Sequence, residues 1–477
     1  MKSISRNYFY NLSYQILTLL TPLITAPYIA RTLGVDGIGE YSFSYSIVAY
    51  FVLLAGFGIP SYAQREIAYH QDDPHEQSRI FWEVISLQII FVLLSLAGYY
   101  ILGKVWGVDS QIYWVQALNI VAIFFDVSWF FQGLEEFGKI VFRNFLVRIA
   151  NIALLFLFVK TPDDLILYTF IMGGMNVLSG LLICLFLKDY IRVVPVSKIH
   201  PFRNISTVLQ LFLPQIAIQV YVILDKTMLG FFADTYTENG YYEQADKIVK
   251  MCLSIATSLG TVMLPRIAFT FAQGNIEKVR EYMMKSYRFI FFLTIPMCFG
   301  LMVTASNFVP WFFGPGYEPV AKLIAIESTV IITIGLSNVT GVQFMVPTNR
   351  QNELTLSVAA GAIFNFAINL FLIPAFMSTG VAIATALTEL VVTTVQFWLV
   401  RDFFSIKEIL KQCRTYLAGS IVMIFGVSFL AKTLSPSILH TLILIIVGGL
   451  MYIACLLLMK DDMLCLAIGK VKRKFSH

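Results

Sequence analysis

The chain has 477 residues, of which 58% are hydrophobic and 13% charged, and its net charge is +5. At this length a soluble protein would divide into two to four domains, but stretches of about 20 apolar residues recur from end to end, so most of the chain is solvated by lipid. The positive balance reads as orientation in a membrane and contact with anionic lipids, and no basic stretch is set in a soluble fold that would bind nucleic acid.

Hydropathy predicts spans near residues 9–30, 40–62, 80–102, 110–131, 142–160 and 165–187. After a polar break they resume near 208–232, 243–265, 286–306, 320–343, 354–375, 380–400, 413–432 and 437–459. The predicted fold is an all-α integral membrane protein of about 14 transmembrane helices. Segments 40–62 and 243–265 are polar for helices that face lipid, and segments of that kind usually line something wet. With both termini cytoplasmic, all but eight of the 34 Lys and Arg fall in inner breaks and tails. The exceptions are Arg31, Lys104, Lys160, Lys226, Lys247, Lys250, Lys322 and Lys432. This is the positive-inside asymmetry, and it needs an even number of spans to stay in phase. Six cysteines without a CxxC pair imply no disulfide framework, and five histidines without ligand spacing imply no metal site. No cofactor is expected.

Two stretches repeat one another. From Leu33 the chain reads LGVDGIGEY, and from Leu229 it reads LGFFADTYTENGYY. In each, Leu-Gly closes one span and Gly with Tyr opens the next. Each then carries a proline (Pro60, Pro265) and an Arg shortly before Ile-Ala (Arg65, Arg266), and a cation (Arg31, Lys226) stands about one turn before the Leu-Gly. Both copies follow a cytoplasmic basic segment, so they run in the same direction, as parallel repeats about an axis along the membrane normal. The predicted organisation is an N-terminal lobe of six spans (1–187), a cytoplasmic linker (188–207), a C-terminal lobe of six spans (208–400), and two further helices with a basic tail (401–477). No GxxxxGK[ST] motif is present, so active transport would draw on an ion gradient or the membrane potential.

A cation at the bilayer centre costs about 2.5–3.5 kcal/mol, so it requires a partner, a wet cavity or an anionic ligand. Arg31 is the first candidate. Snorkelling to the interface beside Asp36 or Glu40 is its ordinary role, and a planar fork that takes two phosphate oxygens is its functional one. Lys226 follows Asp225, and Gln215, Gln219 and Lys226 share one side of their span. Tyr242, Asp246 and Lys250 follow at i,i+4 steps, which suits either a helical ion pair or a cavity face. Asn11 belongs to a polar stripe with Asn7, Gln15 and Thr18. Arg143 reads as an ordinary cytoplasmic anchor, whereas Arg148 lies deeper, where it can meet an anionic ligand from the cytoplasmic side. Glu327, Glu389 and Asp126 are candidates for pairing a cavity cation or carrying a coupling proton.

Several of these residues carry a resemblance. PLITAPYIARTLG (Pro22 to Gly34), REIA (Arg65 to Ala68), DVSWFFQGLEEFGKIVFRN (Asp126 to Asn144), GYYEQADKI (Gly240 to Ile248), MLPRIA (Met263 to Ala268), Asn338 to Pro347 and ATALTEL (Ala384 to Leu390) stand in order along residues 5–400. Together they make the chain similar to the Wzx-type polysaccharide repeat-unit flippases of the multidrug/oligosaccharidyl-lipid/polysaccharide exporter superfamily. The resemblance implies fourteen helices, two lobes and a cationic central cavity. It also implies transfer of undecaprenyl-pyrophosphate-linked oligosaccharide across the bacterial plasma membrane for capsule, exopolysaccharide or O-antigen synthesis. The expected partners are that lipid, membrane lipids, and a polysaccharide polymerase and glycosyltransferases.

Two rivals are weighed. An ion-coupled drug or metabolite exporter of the same superfamily would lead with cavity acids and aromatic cages, whereas the leading candidates here are cations. A membrane glycosyltransferase would need a sizeable catalytic loop or paired acids, and the outer breaks are all short. A flippase breaks no covalent bond, so no catalytic residue is expected.

Overall fold

The structure, a computed structural model, describes residues 4–107 and 110–465, without the side chains of 4–20, 213–215, 217–218, 220–221, 259 and 261–262. The described chain is helical. In chain order run α1 (Ile4–Gly56), α2 (Ile59–Tyr69), α3 (Pro74–Val105), α4 (Gln111–Gln116), α5 (Leu118–Phe125), α6 (Ser128–Gly133), α7 (Phe137–Phe158), α8 (Leu165–Cys184) and α9 (Ile205–Phe232). They are followed by α10 (Thr237–Ala272), α11 (Ile276–Phe312), α12 (Glu318–Ser337), α13 (Gln351–Leu399), α14 (Ile406–Gln412), α15 (Arg414–Thr433) and α16 (Ile438–Leu458). Among the described residues, eleven helical stretches are long and apolar enough to cross a membrane.

Two of those stretches, Thr21–Tyr69 and Gln351–Leu399, run for 49 residues each. At 1.5 Å per residue such a length is about twice the roughly 30 Å hydrocarbon core. Each is broken by a residue in the left-handed region, Gly34 (φ 71) in α1 and Met377 (φ 49) in α13, so each is two helical segments joined at that break. With α9, whose side chains are only partly described, the number of long apolar helices lies between 11 and 14. Pro60 does not kink a helix. Phe57 (φ 37) and Gly58 (φ 69) end the preceding helix, and Pro60 sits in the first turn of α2, where its missing N–H costs nothing.

Contacts divide the chain into two compact units, one reaching Gly230 and including Asp234–Gly240, the other made of Phe231–Ala233 and the chain from Tyr241 onward. In the first unit α5 packs on α8, α2 on α6, and α1 against α3 and α7. The DVSWFFQG stretch supplies its core: Trp129, Phe130 and Phe131 are fully buried against Ile59, Ile67 and Phe81. Lys139 closes this cluster, lying 3.1 Å from Glu136, 2.5 Å from the Tyr190 hydroxyl and 4.0 Å from that ring's centre. Segment 188–207 is stitched to α3. The Arg192 N–H donates to Ser78 Oγ (3.0 Å), the Trp82 indole donates to the Arg192 carbonyl (3.0 Å), and the His200 N–H donates to buried Glu83 (3.3 Å). α3 itself starts at an N-cap, with Asp73 accepting from the N–H groups of His75 and Glu76. Those two bonds hold its carboxyl below the usual carboxylate range.

In the second unit α11 is the central helix, packing on α12, α15 and α16. Arg288 of α11 reaches Asp461 (2.8 Å), Asp462 (3.4 Å) and the Tyr416 hydroxyl (2.9 Å), tying the start of α15 and the end of α16 to the same helix. Burial works against the Asp461 carboxylate, but Arg288 and the N–H of Leu464 outweigh it and hold its pKa down. A π-helical turn, Asn338–Met345, interrupts the apolar ladder after α12 and carries the buried polar groups Thr340 and Gln343.

Candidate functional site: a lysine-bearing cavity

The second half of α1 carries Ser42, Ser44 and Ser46, all buried. Ser42 and Ser46, four residues apart, share one face of this helix, and α9 meets it at Ser46, while Ser44 on another face takes a bond from Gln116. Thr227 donates to Ser46 Oγ at 2.9 Å, and the Asn239 amide donates to the backbone carbonyl of Lys226 at 2.7 Å. Beside these bonds lies a cavity of about 410 Å³. Its polar wall is Tyr45, Ser46, Gln219 and Lys226, and its other walls are apolar residues such as Val52, Leu53 and Val222. Lys226 is half-buried, whereas its neighbour Asp225 is 3% exposed and does not line the cavity. Successive residues point to different faces of a helix, which separates the two. An ammonium, an amide and two hydroxyls around one hollow are suited to an anion that carries further hydrogen-bonding groups.

The structure thus brings together Gln219 and Lys226. Gln215 and Asn11 fall on side chains outside the described residues. Arg31 lies exposed on α1 close to the Gly34 break, and Arg148 is half-buried on α7. Asp246 and Lys250 form a 2.8 Å ion pair with the lysine 52% exposed, the favourable i,i+4 arrangement. Tyr242 is buried, its hydroxyl 3.3 Å from Thr385 Oγ1. Glu327 (3% exposed) and Glu389 (6% exposed) are buried on α12 and α13, which pack together. Asp126 receives both the N–H (3.0 Å) and the hydroxyl (2.5 Å) of Ser128, and Arg143 donates to that same hydroxyl at 2.9 Å. Arg143 is therefore no interfacial anchor: at 8% exposure it is part of the buried joint between α6 and α7. Tyr45 and Ser46 escaped the sequence reading as ligand groups, although the polarity of segment 40–62 marked their helix. Among the described residues, no group of three or more His, Cys, Asp or Glu is placed to hold a metal ion.

The fold and this site define an all-α, multi-pass membrane protein with a cation in the wall of an open cavity. A family model described as "Polysaccharide biosynthesis protein" matches residues 4–271, and the chain belongs to that family. The protein of Escherichia coli (strain K12) described as "Putative O-antigen transporter" is 26% identical over 405 residues, covering 84% of this chain and 97% of that one. Among solved structures, the lipid II flippase MurJ in an inward closed conformation superposes with a TM-score of 0.75 at 15% identity, over 96% of this chain and 99% of that one. An inward-facing multidrug resistance MATE family transporter of the MOP superfamily gives 0.66 at 14% identity, over 85% and 99%. These two share the fold.

Proposed function

We propose that this chain is a flippase that carries undecaprenyl-pyrophosphate-linked oligosaccharide repeat units from the inner to the outer leaflet of a bacterial plasma membrane. The observation that carries the proposal is the cavity at Lys226 and Gln219 inside a membrane-spanning protein of a polysaccharide biosynthesis family. A pyrophosphate-sugar head group cannot cross hydrocarbon unaided, while a polyprenyl tail can stay in lipid throughout. The protein's task is therefore to offer the head group a polar path. In this reading Lys226 and Arg31 bind phosphate, Gln219, Gln215, Tyr242 and Asn11 bind sugar, and Arg148 meets the pyrophosphate from the cytoplasmic side. The Asp246–Lys250 pair and Asp225 set the field around the path, and Glu327, Glu389 or Asp126 couples transport to a proton.

The path is opened by alternating access of two six-helix lobes, 1–187 and 208–400, joined by the linker 188–207 and followed by the two helices of 401–477. Both termini are cytoplasmic, and the partners that make and use the cargo are glycosyltransferases and a polysaccharide polymerase. Two experiments test this. Deletion of the gene should leave lipid-linked repeat units built but unpolymerised, with drug accumulation unchanged. Loss of drug export with normal polysaccharide would move the protein to the drug-exporter class. For orientation, a single cysteine at position 198 should react only with reagents that enter the cytoplasm, and labelling from outside alone would sink that topology.

A further inference from the structure

A chain of side-chain amides, its inner members buried, crosses the first unit outside the lysine cavity. Asn176 of α8 donates to Asn119 Oδ1 (3.0 Å), Asn119 donates to Gln116 Oε1 (2.8 Å), and Gln116 donates to Ser44 Oγ (3.1 Å). Gln116 and Asn119 are 0% and 7% exposed. Their mutual bonds remove the penalty of placing amides in a membrane-spanning unit, and interhelical cohesion alone would account for them. It does not account for the free end. Asn176 is exposed, yet it lies with Thr169, Gly173 and Gly180 on one face of α8, opposite the exposed apolar stripe of Leu167, Phe170, Leu178 and Leu181. An exposed amide on the side away from that apolar stripe is placed to meet a polar ligand.

All three bonds run in one direction, inward from Asn176. An amide that donates its N–H gains electron density on its oxygen, so the relay strengthens Asn176 Oδ1 as an acceptor and fixes which way it points. One turn before Asn176, Met172 Sδ accepts from the Asn151 amide at 3.7 Å. Thioether sulfur is a weak acceptor, and Asn151 Oδ1 is buried with no hydrogen-bond partner among the described residues. A hydroxyl arriving at Asn176 therefore has a second, weakly held amide beside it to turn toward. Adjacent amides that offer both acceptor and donor match vicinal hydroxyls, not a phosphate.

We infer that Asn176, backed by Asn119 and Gln116 and assisted by Asn151, is a sugar-hydroxyl subsite for the oligosaccharide part of the cargo. This rests on the flippase reading. Purified full-length protein would be titrated with two probes: undecaprenyl pyrophosphate, and the lipid-linked repeat unit extracted from the source strain. Asn176→Leu should weaken the sugar-bearing lipid about fivefold to tenfold, the worth of one to two neutral hydrogen bonds, and leave the bare lipid unchanged. Where Asn176→Leu lowers the melting temperature, Asn176→Gln keeps donor and acceptor but moves them by a methylene, and it should show the same loss of discrimination. Unchanged affinity for both lipids, or equal weakening of both, overturns the subsite. Failure of the unaltered protein to bind either lipid overturns instead the flippase reading on which it rests.

Discussion

Replacement of Lys226 by alanine is expected to abolish surface polysaccharide while the protein stays in the membrane at its normal level. The bond that Asn239 makes at this residue goes to the backbone carbonyl, which alanine retains. In the proposed mechanism the cargo needs the ammonium. Lys226 is the cation of the cavity's polar wall, beside Gln219, Tyr45 and Ser46. A charge-assisted hydrogen bond contributes about 1.5–3 kcal/mol, so its loss should weaken undecaprenyl pyrophosphate binding roughly 10-fold to 150-fold. Lys226→Arg keeps the charge in a larger, planar group and should recover part of the export. Arg31→Ala is the companion test of the matched cation in the first repeat. Normal export by both alanine variants would show that these residues are interfacial anchors and that the phosphate is held elsewhere.

What the sequence disclosed and what it hid have separate physical causes. Span positions were legible because lipid enforces a minimum apolar length, and the observed helices overlie each of the predicted segments. Helix breaks were less so. Gly34 follows the simple rule for a left-handed residue, but Met377 adopts the same region with a side chain, which only tertiary packing can impose. The segment predicted as one span at 110–131 is three short helices, because Ala117 and Asp126 end regular turns without any Pro or Gly to announce it. At the site, Lys226 and Gln219 were found from helical spacing, a local property. Tyr45 and Ser46 join them from a residue separation of more than 170 in the chain, as the Thr227–Ser46 bond illustrates (a separation of 181), and no periodicity reports such a meeting. Arg143 was misread for the reverse reason. A cytoplasmic arginine at a span's edge is usually an anchor, and only the neighbouring Ser128 and Asn144 turn it into a buried joint.

Gly39→Ala and Gly240→Ala are each expected to eliminate export, because both glycines lie where two backbones touch. A Cβ on Gly39 would fall 1.8 Å from the Tyr236 carbonyl oxygen, and a Cβ on Gly240 would fall 2.2 Å from the Val35 carbonyl oxygen. The contacts are reciprocal. Each glycine meets the carbonyl of the residue four positions before the other, and these are the two glycines that the sequence repeat aligns. Mutual exchange of this kind is what a two-fold relation produces, and it supports the proposed pair of parallel repeats. It also explains the residue type, since only glycine permits helices to cross with carbonyls against Cα. Ordinary overpacking costs about 1–3 kcal/mol, and here the obstacle is backbone that has no rotamer to yield, so the effect should reach or exceed that range. Asp36 and Thr237, hydrogen-bonded beside the crossing, would be pulled apart with it. The measurement is surface polysaccharide normalised to protein in the membrane, for both single variants and the double. Because either methyl group alone separates the same two segments, the double variant should lose little more than each single one. Full export by either alanine variant would show that the crossing is dispensable and that the aligned glycines are a coincidence of sequence.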